Sequence, residues 1–109
     1  MQRSSASLTI AISGTDSETV VVPSGFVLSA IRTPGTLTGS SFSLKGAESI
    51  SAASLAPVYN GGSLYSTIMG TNRMIPLDTT ITKNLTTFAL VSSSTEAAAR
   101  TFVAIFTRE

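Results

Sequence analysis

Apolar and polar side chains alternate in short runs along this 109-residue chain, and that rhythm constrains its fold more than any other feature. A β-strand turns successive side chains to opposite faces, so period-two alternation means one buried face and one outward face. Leu8, Ile10 and Ile12 alternate with Ser7, Thr9 and Ala11. Phe26, Leu28 and Ala30 alternate with Val27, Ser29 and Ile31, and Phe42 and Leu44 with Ser41, Ser43 and Lys45. Phe88 and Leu90 alternate with Thr87, Ala89 and Val91. Phe102, Ala104 and Phe106 alternate with Val103, Ile105 and Thr107. This last segment is apolar on both faces, which predicts a central strand or one that meets another subunit.

Turn chemistry divides the rest. Residues 13–17, Pro23-Ser24-Gly25, Pro34-Gly35 and Asn60-Gly61-Gly62 are turn signals. Between them, residues 19–22, 57–59, 63–69 and 71–77 read as further short strands, the middle two as the arms of a hairpin. That makes about eight short strands at the ~8–12-residue spacing of sandwiches and barrels. No long amphipathic helix interrupts them, which argues against βαβ units. The fold class expected is all-β, an antiparallel β-sandwich. Residues 46–56 read either as a short helical turn or as an irregular crossover. Ala97-Ala98-Ala99 reads as a brief helical turn, and Ile81 as a plug reaching the core from the connection over 79–84. Residues 1–5 are expected to form a flexible N-terminal arm, with 6–109 a single domain.

Charge narrows the partners. Only 12% of residues are charged, about half the usual share, while 42% are hydrophobic, so the chain is not of the disordered kind. Serine (18) and threonine (16) supply the polarity instead. A surface this poor in charge suggests contact with other protein. Arg3, Arg32, Lys45, Arg73, Lys83, Arg100 and Arg108 are scattered and the net charge is +1, so no basic stripe for nucleic acid is expected. No apolar run approaches the ~18 residues of a membrane span. The alternating stretch over 8–12 is too short for a signal peptide, so synthesis in a cytosol is expected. The lack of cysteine agrees.

Chemistry-bearing residues are few. There is no histidine and no cysteine, which removes the commonest general base, nucleophile pairs and transition-metal ligands. Asp16 and Glu18 lie two apart in a turn, as an acid/base or calcium pair or as a solvated turn. Tyr59 and Tyr65 flank the Asn60-Gly61-Gly62 turn; they either stack on a sugar or anchor a partner, or pair across the hairpin. Asn84-Leu85-Thr86 matches the glycosylation pattern but is expected to stay unmodified. The expectation is a non-enzyme with no catalytic, metal or cofactor residues, whose partner-binding candidates are Arg3, Tyr59, Tyr65 and Arg73.

Several short motifs recur in a telling order. Pro57-Val58-Tyr59-Asn60 leads through Gly62 to Leu64-Tyr65, then come Ile75-Pro76-Leu77-Asp78, Leu90-Val91-Ser92, and Ala97-Ala98-Ala99-Arg100-Thr101 before a last apolar strand. Val22-Pro23-Ser24-Gly25 precedes an early strand and Thr33-Pro34 follows it. In these the chain resembles small virion proteins of tailed bacteriophages. Being short, rich in serine and threonine and free of cysteine, it is similar to their jelly-roll capsid decoration (cement) proteins. The resemblance implies a jelly-roll-like sandwich, made in the host bacterial cytoplasm and placed on the capsid surface of the virion. It implies a homo-oligomer, dimer or trimer, that braces the major capsid protein, with no nucleic acid or membrane as partner. A carbohydrate-binding module, or a tail or neck structural protein of the virion, is the alternative.

Overall fold

The computed structural model of the chain describes residues 3–48 and 55–108. Strands β1 (Arg3–Ile10), β2 (Val20–Val21), β3 (Phe26–Arg32) and β4 (Ser41–Ala47) come first. Four short pieces follow: β5 (Ala56–Pro57), β6 (Tyr59–Asn60), β7 (Ser63–Leu64) and β8 (Ser66–Ile68). The chain ends with β9 (Met74–Pro76), a four-residue helix α1 (Thr79–Thr82), β10 (Thr87–Ser92) and β11 (Arg100–Arg108).

One sheet has the order β1-β11-β3-β9; the other runs β2-β10-β4, with β5 and β8 sharing the far side of β4. The chain crosses between the sheets at nearly every step, and its first strand pairs with its last, antiparallel from Arg3 opposite Thr107 to Ile10 opposite Arg100. This four-against-four winding is a jelly roll, a double Greek key that closes two antiparallel sheets over one core. The expected antiparallel sandwich is therefore the observed fold. The nine runs read as strands fill eight sheet positions, because 57–59 and 63–69 give β5 and β8, which share the far side of β4.

The alternation explains the core. Leu8 and Ile10, Phe42 and Leu44, Phe88 and Leu90, and Phe102, Ala104 and Phe106 all point inward and are buried together. The rings of Phe88 and Phe106, one from each sheet, meet edge to face with centroids 6.2 Å apart. Such a contact is worth about 1 kcal/mol beyond the area it buries. β11 is central, as its two apolar faces suggest.

Four expectations change. Ile105 faces Ala30 but Phe106 faces Leu28, so Ser29 is an extra residue in β3, its hydroxyl donating to the Ile105 carbonyl at 3.1 Å. This bulge resets the alternation, and Leu28 and Ile31, three apart, both enter the core, where strict period two sends Ile31 outward. β1 begins at Arg3, so residues 3–5 are strand rather than loose arm, and it ends at Ile10, leaving Ile12 exposed. Thr82, not Ile81, is the buried residue of α1, its hydroxyl donating to the Leu28 carbonyl at 2.7 Å. Residues 97–99 form no helical turn. Of the ambiguous segment 46–56, residues 49–54 lie outside the described residues, Ala47 closes β4 and Ala56 opens β5.

The edge beside β4 is interrupted. Lys45 pairs with Pro57 and Ser43 with Ser66, so two residues along β4 span nine on the facing chain, about seven more than a continuous strand would use. The surplus is a projecting hairpin, β6 and β7, joined by Gly61-Gly62. Gly61 has a φ of 65°, a conformation glycine adopts without strain.

Candidate functional site

Two regions stand out, one inside and one outside. At one end of the sandwich lie the loops over 11–19, 33–40, 69–73 and 93–99. Glu96 stands among them with its side chain fully buried. One carboxylate oxygen accepts from the Thr38 N–H at 2.8 Å and from Arg100 Nε at 3.0 Å. The other accepts from the Gly39 N–H at 2.9 Å and the Ser92 hydroxyl at 2.8 Å. The backbone of Glu96 reaches a further loop: its N–H donates to the Gly14 carbonyl and its carbonyl accepts from the Ser13 N–H. Gly39 lies so close that a Cβ there would collide with the Ser92 hydroxyl.

Burial alone would raise the Glu96 carboxyl, but the bonds from Thr38, Gly39, Ser92 and Arg100 outweigh it and hold it at about 2. Glu96 is therefore a fastener, ionised across the physiological range and committed to four donors. The 69–73 loop is tied in separately. The Thr33 hydroxyl donates to the Gly70 carbonyl and accepts from the Arg73 N–H, and the Met69 N–H donates to the Ser40 carbonyl. Glu96 is not among the candidates singled out from the sequence. The signal was there in Glu96 and Arg100, an opposite pair four apart in a chain with few charges.

The outer region is the hairpin. Tyr59 is 57% exposed and Leu64, directly opposite it, 45% exposed; Ile68 on β8 is 76% exposed. All three are large apolar groups along one short stretch of edge. Tyr65 does not join them. It sits at the hairpin base, where its N–H donates to the Val58 carbonyl at 2.9 Å. Its ring packs on the core and its hydroxyl accepts from the Asp78 N–H at 2.9 Å, bridging the edges of the two sheets. The two tyrosines thus divide: Tyr65 is part of the wall and Tyr59 is displayed.

The remaining candidates are dispersed. Arg3 opens β1 at the edge of its sheet, far in the fold from the hairpin strands. The Arg73 side chain lies over Gly70 in the loop end. Asp16 and Glu18 point to different partners. Asp16 accepts from Lys45 Nζ at 2.6 Å, the bond that chiefly lowers its carboxyl, and from the Thr15 hydroxyl. Glu18 accepts from the Thr9 N–H at 3.2 Å. No group of three or more potential metal ligands occurs among the described residues. Asn84 is exposed, and the Thr86 hydroxyl donates to the Glu48 carbonyl. Two shallow hollows of about 340 and 420 Å³ share Lys83 in their walls; hydroxyl and apolar groups make up most of the rest. No helix among the described residues is long and apolar enough to cross a membrane.

No protein-family model matches the chain, and no curated protein matches its sequence. A solved structure shares its fold. The crystal structure of SPBc2 prophage-derived protein YomS matches with a TM-score of 0.59 at 18% identity. The match covers 97% of this chain and 95% of YomS, so the common architecture runs from end to end. At that identity the likeness to YomS is one of fold.

Proposed function

We propose that the chain is a structural protein of a bacteriophage virion, and more narrowly a decoration protein that binds the outer surface of the capsid lattice and braces it, without catalysis. The observation that carries this reading is the end-to-end likeness to a prophage-derived protein of nearly equal extent. The physical character of the molecule supports it. A body whose loop end is tied by a buried carboxylate suits a part that must hold shape rather than move. Tyr59 offers the lattice an amphipathic aromatic anchor, a residue type enriched among those that dominate protein contacts, with Leu64 beside it to widen the apolar patch. The partner in this reading is the major capsid protein, not nucleic acid or a membrane. A lattice repeats its sites, so modest contacts add up when a homo-oligomer grips several at once.

Sedimentation with purified capsids of the phage that encodes the chain tests the proposal. Wild-type protein is expected in the pellet in saturable amount, and the Tyr59→Ser, Leu64→Ser double variant in the supernatant. Wild-type protein left in the supernatant overturns the decoration role. Exposed Tyr59 beside Asn60 is also the feature a sugar-binding reading would use. That reading is weaker, because Tyr65 is turned into the wall and one ring alone makes a poor stacking platform. Glycan binding lost in Tyr59→Ala would favour it.

A further inference from the structure

The N-terminal strand leaves one side open. β1 pairs with β11 along its whole length, while among the described residues its other side carries bonds only near its end, where Glu18 accepts from the Thr9 N–H and donates to the Thr9 carbonyl. Backbone groups alternate direction along a strand, so Arg3, Ser5 and Ser7 present their N–H and C=O groups to the same open side as Thr9. Natural sheet edges are guarded by lysine, proline or bulges that stop another strand from adding on. Residues 4–7 are Ser-Ser-Ala-Ser and hold none of these. Their small side chains leave the approach clear.

We infer that this edge pairs with the same edge of a second copy, antiparallel about a two-fold axis at Ser5, joining two four-stranded sheets into one of eight. The register follows from the open groups. Setting Ser5 opposite the partner's Ser5, and Arg3 opposite the partner's Ser7, uses all three open residues and leaves Thr9 with Glu18. The three pairs exchange about six main-chain hydrogen bonds. Charge complements the register. Arg3 stands exposed at one end of the open edge and Glu18 at the other, so the antiparallel arrangement brings each Arg3 beside the partner's Glu18. A two-fold contact of this kind closes on itself and leaves no further edge of β1 exposed. The inference gives a surface to the homo-oligomer in the proposed role, yet it fails separately: a monomer that still binds capsids would sink the edge pairing and leave the role standing.

The absence of native cysteine makes the test clean. Opposed residues in a hydrogen-bonded antiparallel pair have Cα atoms about 5.5 Å apart, within the range a disulfide spans. Ser5→Cys is therefore expected to oxidise to a covalent dimer. Ser7→Cys alone should not, but should cross-link when mixed with Arg3→Cys. Ser5→Pro removes an outward N–H that β11 does not use, so the variant should stay folded and run as a monomer in sedimentation equilibrium, where wild type runs as a dimer that added salt loosens. A wild-type monomer at every concentration, or Ser7→Cys cross-linking with itself as fast as Ser5→Cys, overturns the inference.

Discussion

The loop end and the hairpin are built on opposite plans. At the loop end an ionic group is buried: Glu96 binds residues of two other loops through side chain and backbone, and Arg100, only 12% exposed, completes the pair. At the hairpin no side chain is charged: Tyr59 and Leu64 are exposed beside the polar but neutral Asn60 and Ser63. β6 and β7 contribute two residues each, and a single main-chain bond from Tyr65 to Val58 closes the base. The contrast teaches that this chain uses a scarce charge where it fixes geometry and leaves its most prominent projection neutral. A contact made through that projection would depend little on ionic strength.

Breaking the inner region should produce the largest effect. Glu96→Ala would leave the Thr38 and Gly39 N–H groups, the Ser92 hydroxyl and Arg100 without their acceptor, at a cost of about 3–5 kcal/mol. That is a large part of the stability of a domain this size, and thermal or urea unfolding would read it. A loss no larger than that of a surface substitution would erase the distinction between the two regions.

Acid probes the same fastener without mutation. Glu96 is held at about 2 in the folded protein, against an ordinary value of 4.5. A depressed carboxyl contributes stability that is complete above the ordinary value and is lost as pH falls through the folded one. Stability should therefore decline between pH 4.5 and 2, by at most about 3 kcal/mol from this group. Asp16, lowered chiefly by its bond from Lys45, acts in the same direction from 3.8, but weakly because the pair is well exposed. In Glu96→Gln the acid decline should flatten, as a pH series of unfolding curves would show.

Smaller effects sharpen the comparison at the hairpin. Tyr65→Phe removes the acceptor of the Asp78 N–H and should cost about 1 kcal/mol while keeping the ring in place. Tyr59→Ser with Leu64→Ser should change stability by no more than ~0.5 kcal/mol, since both side chains are half exposed and lie outside the core. If the double variant is as destabilised as Tyr65→Phe, the hairpin is part of the body rather than a display.

Period two made much of this legible in the sequence. It placed β1, β4, β10 and β11 and chose their buried faces, because those faces depend only on neighbours along the chain. It failed at Ser29, where the bulge is set by the register against β11, more than seventy residues away. It named the Asn60-Gly61-Gly62 turn but not that both arms of the hairpin return to β4. The two-residue Gly61-Gly62 loop puts Tyr59 opposite Leu64 and sends Tyr65 to the base, so of the two readings of the tyrosines the cross-hairpin pair does not form. Glu96 was hidden for a similar reason: two of its donors come from Thr38 and Gly39, and only three-dimensional closure brings them to it. The serines and threonines were read as outward strand faces, yet Ser17, Thr33, Thr82 and Ser92 are buried, and their hydroxyls are bonded to the backbone or to Glu96.

A cryo-electron reconstruction of the parent virion tests the central claim most directly. The account predicts density matching a 35 × 30 × 25 Å body, repeated over the outer capsid surface with the Tyr59–Leu64 hairpin turned toward the lattice. A capsid surface bare of such density, or the same body seated there with its hairpin pointing into solvent, would contradict it.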